Sequence, residues 1–212
     1  MNTKKFGRSR DRGATEESII KAVGTLLARE GIMAVGVNSV AKEAGIDKVL
    51  IYRYFGGMPQ LLRAFGESEE FWPSVSEMTG EDIEALMSMP LAESVSAVLI
   101  NFARALRRRP ITLEIMAWEL VEQNELTEVL REVRENMSIK LFHEFSAKIG
   151  DVDADIAAMV TLLSAAVSYL LLRRRDTEIY NTIDIRSQKG WERIEQSINA
   201  ICKQVLSHRK EG

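Results

Sequence analysis

Between positions 47 and 55 the chain reads Asp-Lys-Val-Leu-Ile-Tyr-Arg-Tyr-Phe. An ammonium, a guanidinium and two phenols stand close together there. Such groups donate to phosphate oxygens, and the apolar tips beside them suit thymine methyl groups in the major groove. On a helix, side chains turn by about 100° per residue. Ile51 and Phe55 then share an inner face, while Val49 and Arg53 point nearly opposite. Lys48 and Tyr52 form one flank, and Leu50 and Tyr54 the other. The chemistry implied is a grip on nucleic acid rather than turnover. Taken alone, the segment also fits a structural helical hairpin with tyrosine packed at its edge.

Signals for catalysis are absent. His143 and His208 are the only histidines, and His143-Glu144 lacks a second ligand at metal spacing. Neither a phosphate-binding Gly-x-x-x-x-Gly-Lys-Ser/Thr nor a Gly-x-Ser-x-Gly nucleophile turn is present. Cys202 stands alone, so no intrachain disulfide forms; a reducing, cytoplasmic setting fits. The expectation is no catalytic residue, no metal, no cofactor and no enzymatic activity. Cys202 reads as core packing or a dimer contact.

The elements that must position the 48–54 segment follow from pattern. Apolar residues recur at spacings of three and four almost throughout, which argues for helices. Thr15 opens a first helix with buried stripe Ile19, Ile20, Val23, Leu26 and Leu27, stopped by Gly31. A second spans about 37–44, broken by Gly45. Asp47 is a good N-cap for a third, 48–54. Pro59 suits the first turn of a fourth, which reaches about Phe71. Two short helices around a glycine turn are the helix-turn-helix layout. Longer helices are expected at about 91–108, 111–122, 126–148, 153–174 and 190–207. The fold class is therefore all-α, about nine helices. A basic flexible arm at 1–13 precedes the helix-turn-helix domain at 14–71. A junction at 72–90 leads to a ligand-binding and dimerisation domain at 91–212.

Of 212 residues, 46% are hydrophobic and 28% charged, which supports a core without disulfides or metals. The net charge of −3 hides an asymmetry: through Gly56, 10 Lys/Arg stand against 6 Asp/Glu, and beyond it 18 against 25. A basic head on an acidic body suggests that only the head meets a polyanion. No signal peptide is visible, and the apolar stretch 157–172 is short for a bilayer span and reads as a buried helix. The runs Arg107-Arg108-Arg109 and Arg173-Arg174-Arg175 fall at helix C-termini, where cations are favoured. An acidic ligand is the alternative.

The stretch GIMAVGVNSVAKEAGIDKVLIYRYFGGMPQLLRAF resembles the DNA-binding domain of the TetR family. That family's usual text is close to G-x-x-x-T-T-V-x-x-I-A-x-x-A-G-V-S-K-G-T-L-Y-x-Y/H-F-x-x-K-x-x-L. The likeness covers roughly residues 15–66. It implies that Lys48, Tyr52 and Tyr54 contact phosphates, that Val49 and Leu50 approach bases, and that Val37, Asn38 and Ser39 touch the backbone. Arg53 joins this set on its exposed face. Three departures stand out: Gly36 where Thr is common, Asp47 where Ser is common, and Met58 where Lys is common. With methionine at 58, one phosphate-binding cation is missing, and Arg8, Arg10 or Arg12 of the basic arm would compensate for it.

The body is expected to carry a dimer face and a pocket. Trp191, Ile194, Ile198, Ile201 and Val205 line one side of the last helix. The helix before it has two apolar faces, one holding Leu163, Val167 and Leu170 and the other Leu162, Ala165, Ala166 and Tyr169. One face serves its own core and the other a partner subunit. The resemblance implies a homodimer through a four-helix interface that includes Leu163, Ala166, Val167 and Leu170. It also implies a cavity for a largely apolar small molecule, with candidates Phe102, Met116, Trp118, Glu122, Met137, Phe145 and Tyr169. Ordinary core packing is the alternative for each. The function implied is a ligand-responsive repressor released from a palindromic operator. An activator or corepressor-dependent regulator of the same type, and a helical carrier or interaction module without DNA-binding function, are the rivals.

Overall fold

The computed structural model describes residues 5–121, 123–149 and 155–206, without the side chains of residues 5–11 and 146–149. The described chain is helical apart from one short hairpin. It forms two compact units, Met1–Trp72 with Glu114–Glu135, and Pro73–Leu113 with Asn136–Gly212.

The first unit is built on α1 (Lys5–Glu30), against which α2 (Val37–Ala44) and α4 (Met58–Gly66) pack; α3 (Val49–Phe55) rests on α4. Of the stripe read from sequence, Ile19, Val23, Leu26 and Leu27 of α1 are buried with Val40, Ala41, Ile51, Leu61, Leu62 and Phe65, and Ile20 is half-buried. Each fully buried aliphatic side chain of this kind contributes roughly 1.5–3 kcal/mol. α1 starts at Lys5, ten residues before the expected Thr15, so helix replaces much of the expected flexible arm. Nothing from 5 to 14 forbids helix except the weak breakers at Gly7 and Gly13, and Arg12 pairs with Glu16 one turn on at 2.7 Å.

α4 ends earlier than the apolar pattern suggests. After Gly66 the backbone turns, with Ser68 Oγ donating to the Phe65 carbonyl at 2.6 Å. Phe65, Phe71 and Trp72 then stack in series, with ring centroids 5.3 and 6.5 Å apart.

Two further helices belong to both units. These are α8 (Pro110–Glu119) and α9 (Glu125–Ile149). The first-unit portion of α9 lies against α4. Arg63 pairs with Glu132 at 2.7 Å. Gly66 faces Leu130 and Val133 so closely that a Cβ there would stand 3.0 Å from Leu130 Cδ2. Arg134 of α9 pairs with Glu119 of α8, both nearly buried, and lies 5.6 Å over the Trp72 ring. Glu119 is thereby engaged in a structural ion pair.

The second unit is arranged around α7 (Leu91–Arg107). On it pack α5 (Val75–Thr79), α6 (Ile83–Ser88), α10 (Ile156–Arg173) and α11 (Gln188–Leu206). The helices α5 and α6 occupy the expected junction. Each is too short to show a period, but each has a side-chain cap: Ser74 accepts from Glu77 N and Asp82 from Ala85 N. Glu77 also receives Arg108 and Arg109, at 2.6 and 2.5 Å. Between α10 and α11, the polar stretch that separates the two helices forms a hairpin of β1 (Ile179–Tyr180) and β2 (Ile183–Asp184). Its turn residues Asn181 and Thr182 both have positive φ, as a two-residue hairpin turn requires.

Candidate nucleic-acid interface

The turn between α2 and α3 is set by three residues. Gly45 adopts φ 66°, ψ 33°, a left-handed conformation that costs glycine nothing, and closes α2. Ile46 N then donates to the Ala41 carbonyl at 3.0 Å. Asp47 Oδ1 accepts from Val49 N at 2.8 Å, so the aspartate caps the start of α3 in place of the more common serine. At the other end of α2, Gly36 supplies no side-chain cap. Ser39 supplies one from inside the helix: its Oγ accepts from Gly36 N at 2.9 Å and donates to the Ala34 carbonyl at 2.6 Å.

With only seven residues, α3 is held by packing. Ile51 is fully buried, and this one anchor turns the opposite surface outward. Val49 is 61% exposed and Tyr52 54%. Lys48 and Arg53 are exposed, and Leu50 and Tyr54 are half-buried. Asn38 is exposed at the start of α2, while Val37 and Ser39 are half-buried there. The α2 start and the α3 surface thus lie in one unit. Ser39 is committed to local hydrogen bonds, which makes it a positioning residue for α2.

Two contacts stiffening this head are not apparent from sequence spacing. Arg29 of α1 grips Glu43 of α2 through both carboxylate oxygens, at 3.2 and 2.7 Å. The guanidinium holds the Glu43 carboxyl below its ordinary range. Arg12 lies 5.2 Å over the Tyr54 ring while bonded to Glu16. The predicted phosphate-seeking arginine is therefore placed on the helix α1 beside α3. The Arg10 side chain lies outside the described ones.

The residues expected to line a pocket divide between the units. Met116 and Trp118 fall in the first, and Phe102, Met137, Phe145 and Tyr169 in the second. Phe145 is buried, Phe102, Met116 and Met137 are half-buried, and Trp118 is at the surface. Glu122 lies outside the described residues. Tyr169 is 50% exposed and meets Tyr180 of the hairpin edge-on, with ring centroids 5.9 Å apart.

The residues expected at a dimer face also separate. Val167, Trp191 and Ile198 are buried within their own chain, so their side chains offer no surface to a partner. Trp191 is fixed there by its Nε1–H donating to the Ile185 carbonyl at 2.7 Å. Leu163, Leu170 and Ile194 are half-buried, and Ala166, Ile201 and Val205 are exposed. Within this chain Ile156, Val167 and Leu171 of α10 are buried, whereas Leu162 is 71% exposed. Among the described residues α10 is the one helix long and apolar enough to cross a membrane by length and composition. Cys202 is buried, and burial pushes its thiol up to about 11. No cluster of three or more potential metal ligands occurs among the described residues.

The profile of "Bacterial regulatory proteins, tetR family" matches residues 19–65, which span the anchored core of α1 through α4. No curated protein sequence matches the chain. Among solved structures, the chain is similar to a TetR-family regulator from Rhodococcus sp., with a TM-score of 0.60 at 18% identity, covering 91% of this chain and 98% of that one. It is also similar to the regulator FadR from Bacillus subtilis in complex with stearoyl-CoA, with a TM-score of 0.59 at 16% identity over 91% and 99% of the two chains. A third, RolR in complex with resorcinol, gives 0.52 at 17% identity over 95% and 97%. Proteins of this family are transcription factors rather than enzymes. The helix-turn-helix head thus matches the tetR-family profile over residues 19–65, and the whole chain has the fold of the solved TetR-family regulators it resembles.

Proposed function

We propose that the chain is a cytoplasmic, ligand-responsive repressor that grips a palindromic operator as a homodimer and is released by a small, largely apolar molecule. The observation that carries this reading is α3: Ile51 is fully buried, and Lys48, Val49, Tyr52 and Arg53 point outward from it. Lys48, Tyr52 and Tyr54 serve the phosphates, and Val49 and Leu50 meet base edges. The α2 start presents Asn38 to the backbone.

The dimer reading is supported by the outward face of α10. Leu162, Ala165, Ala166 and Tyr169 form an apolar strip on a helix whose other side is already packed. Ile201 and Val205 are likewise exposed on α11. A second copy covers such a strip by two-fold symmetry, with small residues allowing close crossing. Two recognition helices then need a separation of ~34–36 Å, one turn of DNA.

Release is a shift of population toward a dimer with another spacing. Support comes from α4 and α9: α4 carries Gly66 and Arg63 against Leu130, Val133 and Glu132 of α9, and α9 continues into the second unit. Similar chains have been solved with stearoyl-CoA and with resorcinol, ligands of very different size. The effector is therefore sought by screening rather than by analogy.

The test is a selection of bound duplexes from random DNA, followed by a screen for compounds that dissociate the complex. A two-fold symmetric site, lost in Tyr52→Ala and Lys48→Ala, is expected. No preference over scrambled competitor at moderate salt, with or without candidate effectors, refutes the regulator reading. Release on adding effector marks a repressor; tightening marks a corepressor-dependent protein.

A further inference from the structure

Where the ends of α7 and α10 meet the start of α11, the second unit gathers arginines with too few carboxylates. Arg104 is matched: its Nε and terminal nitrogen donate to both oxygens of Glu195, at 3.0 and 2.6 Å. Glu195 is 8% exposed and fully used by that fork. Arg107, one turn further, is half-buried and has no carboxylate of its own among the described residues. It donates one hydrogen bond to Gln188 Oε1 at 2.9 Å and lies 5.1 Å over the Trp191 ring. Arg174, at the C-cap of α10, forms no side-chain hydrogen bond or ion pair among the described residues. Its position is locked by Arg186, which donates to the Arg174 and Arg175 carbonyls at 2.8 and 2.7 Å.

We propose that Arg107 and Arg174 bind an oxyanion, the phosphate or carboxylate group of a small molecule, on the platform of Trp191. A guanidinium has five N–H donors, and Arg107 spends one on Gln188, so most of its fork is left for a bidentate acceptor. Trp191 is fully buried and hydrogen-bonded, so the platform is rigid before any ligand arrives. The two cations act on one another: the Arg107 guanidinium is pushed below its ordinary range, first by burial and then by the charge of Arg174, with Glu195 opposing. An anion between the two cations reverses that penalty.

The experiment uses the full chain at constant ionic strength. Thermal unfolding and tryptophan fluorescence are followed in Trp72→Phe/Trp118→Phe protein, which leaves Trp191 as the reporter. Inorganic phosphate and acetate are the probes, with chloride as control. Saturable stabilisation by phosphate alone assigns a phosphate-bearing ligand, and by acetate alone a carboxylate. Arg174→Gln is expected to weaken binding at least tenfold while raising the unfolding midpoint of the ligand-free protein, because one of two unmatched like charges is removed. Its side chain forms no hydrogen bond, so folding is retained; Arg107→Lys, which keeps charge but loses the fork, gives an independent loss. Arg131→Gln, in exposed ion pairs elsewhere, leaves binding unchanged. The proposal is overturned if chloride stabilises as well as either probe, or if Arg174→Gln binds like the parent.

Discussion

Gly66→Ala tests the closest approach between α4 and α9. The added methyl would stand 3.0 Å from Leu130 Cδ2, 3.2 Å from Val133 Cγ2 and 3.4 Å from Val133 Cβ. Relaxed carbon contacts lie at about 3.5–4.0 Å, so at least two are compressed by several tenths of an ångström. Neither neighbour yields easily. Leu130 is fully buried, and Val133 is buried and β-branched, with one strongly preferred rotamer in a helix. Relief must therefore come from α4 moving off α9. Overpacking of this size costs about 1–3 kcal/mol, and alanine's better helix propensity offsets at most ~1 kcal/mol at the end of a helix. A net loss of about 1–2 kcal/mol is expected. Urea unfolding at one fixed protomer concentration reads this as a lower midpoint with unchanged slope.

A double-mutant cycle makes the geometry accountable. Leu130→Ala alone opens a cavity and costs about 2–5 kcal/mol. In the double variant the new methyl occupies part of that space, so the combined loss falls short of the sum by about 1 kcal/mol or more. Should Gly66→Ala raise the midpoint, or should the two losses add within ~0.3 kcal/mol, the close approach of α4 to α9 is not the constraint described.

Four further outcomes are expected. Lys48→Ala should lower operator affinity across sequences and reduce the salt slope by about one, with an unchanged melting point, because Lys48 is exposed and acts on phosphate. Leu162→Glu should yield monomers by sedimentation while leaving helicity intact; a persistent dimer would move the interface off the α10 strip. Glu77 is held below the ordinary carboxylate range, chiefly by its hydrogen bond from Arg109 with Arg108 assisting. Its stabilisation is thus complete at neutral pH and is lost as pH falls from about 4.3 through the depressed value, and Glu77→Gln should flatten that acid loss in thermal unfolding. Cys202, buried with its thiol near 11, should resist a disulfide reagent at pH 8 until the chain is unfolded.

Much of the head is legible in sequence because each element there has a single solution. Gly45 must turn left-handed, Asp47 must cap, and Ile51 must fill the core, so type and position are fixed together. Contacts across the chain are less visible. Arg29 finds Glu43, and Arg12 finds the Tyr54 ring, at separations no local pattern marks. The hairpin after α10 is hidden for another reason: Thr182 takes positive φ, which β-branched residues rarely adopt, so its residue type carries no turn signature.

In the body, apolar period reveals helices but not what each face meets. Trp191, Ile198 and Ile201 fall on one stripe of α11, yet the first two are sealed inside the chain and the third is exposed. The stripe is wider than the seam it serves: part of it packs on α7 and the remainder faces outward. Charge runs are still less informative. Arg107, Arg108 and Arg109 are adjacent, but a helix end splays them. Arg108 and Arg109 turn to Glu77, and Arg107 turns to Gln188 and Trp191. The first two share one carboxylate and are structural. The third is left over because Glu195, whose charge also reaches it, is taken by Arg104. What separates a structural arginine from a ligand-binding one is thus not the run but which acids the fold has already spent, a property of tertiary pairing that only the folded chain displays.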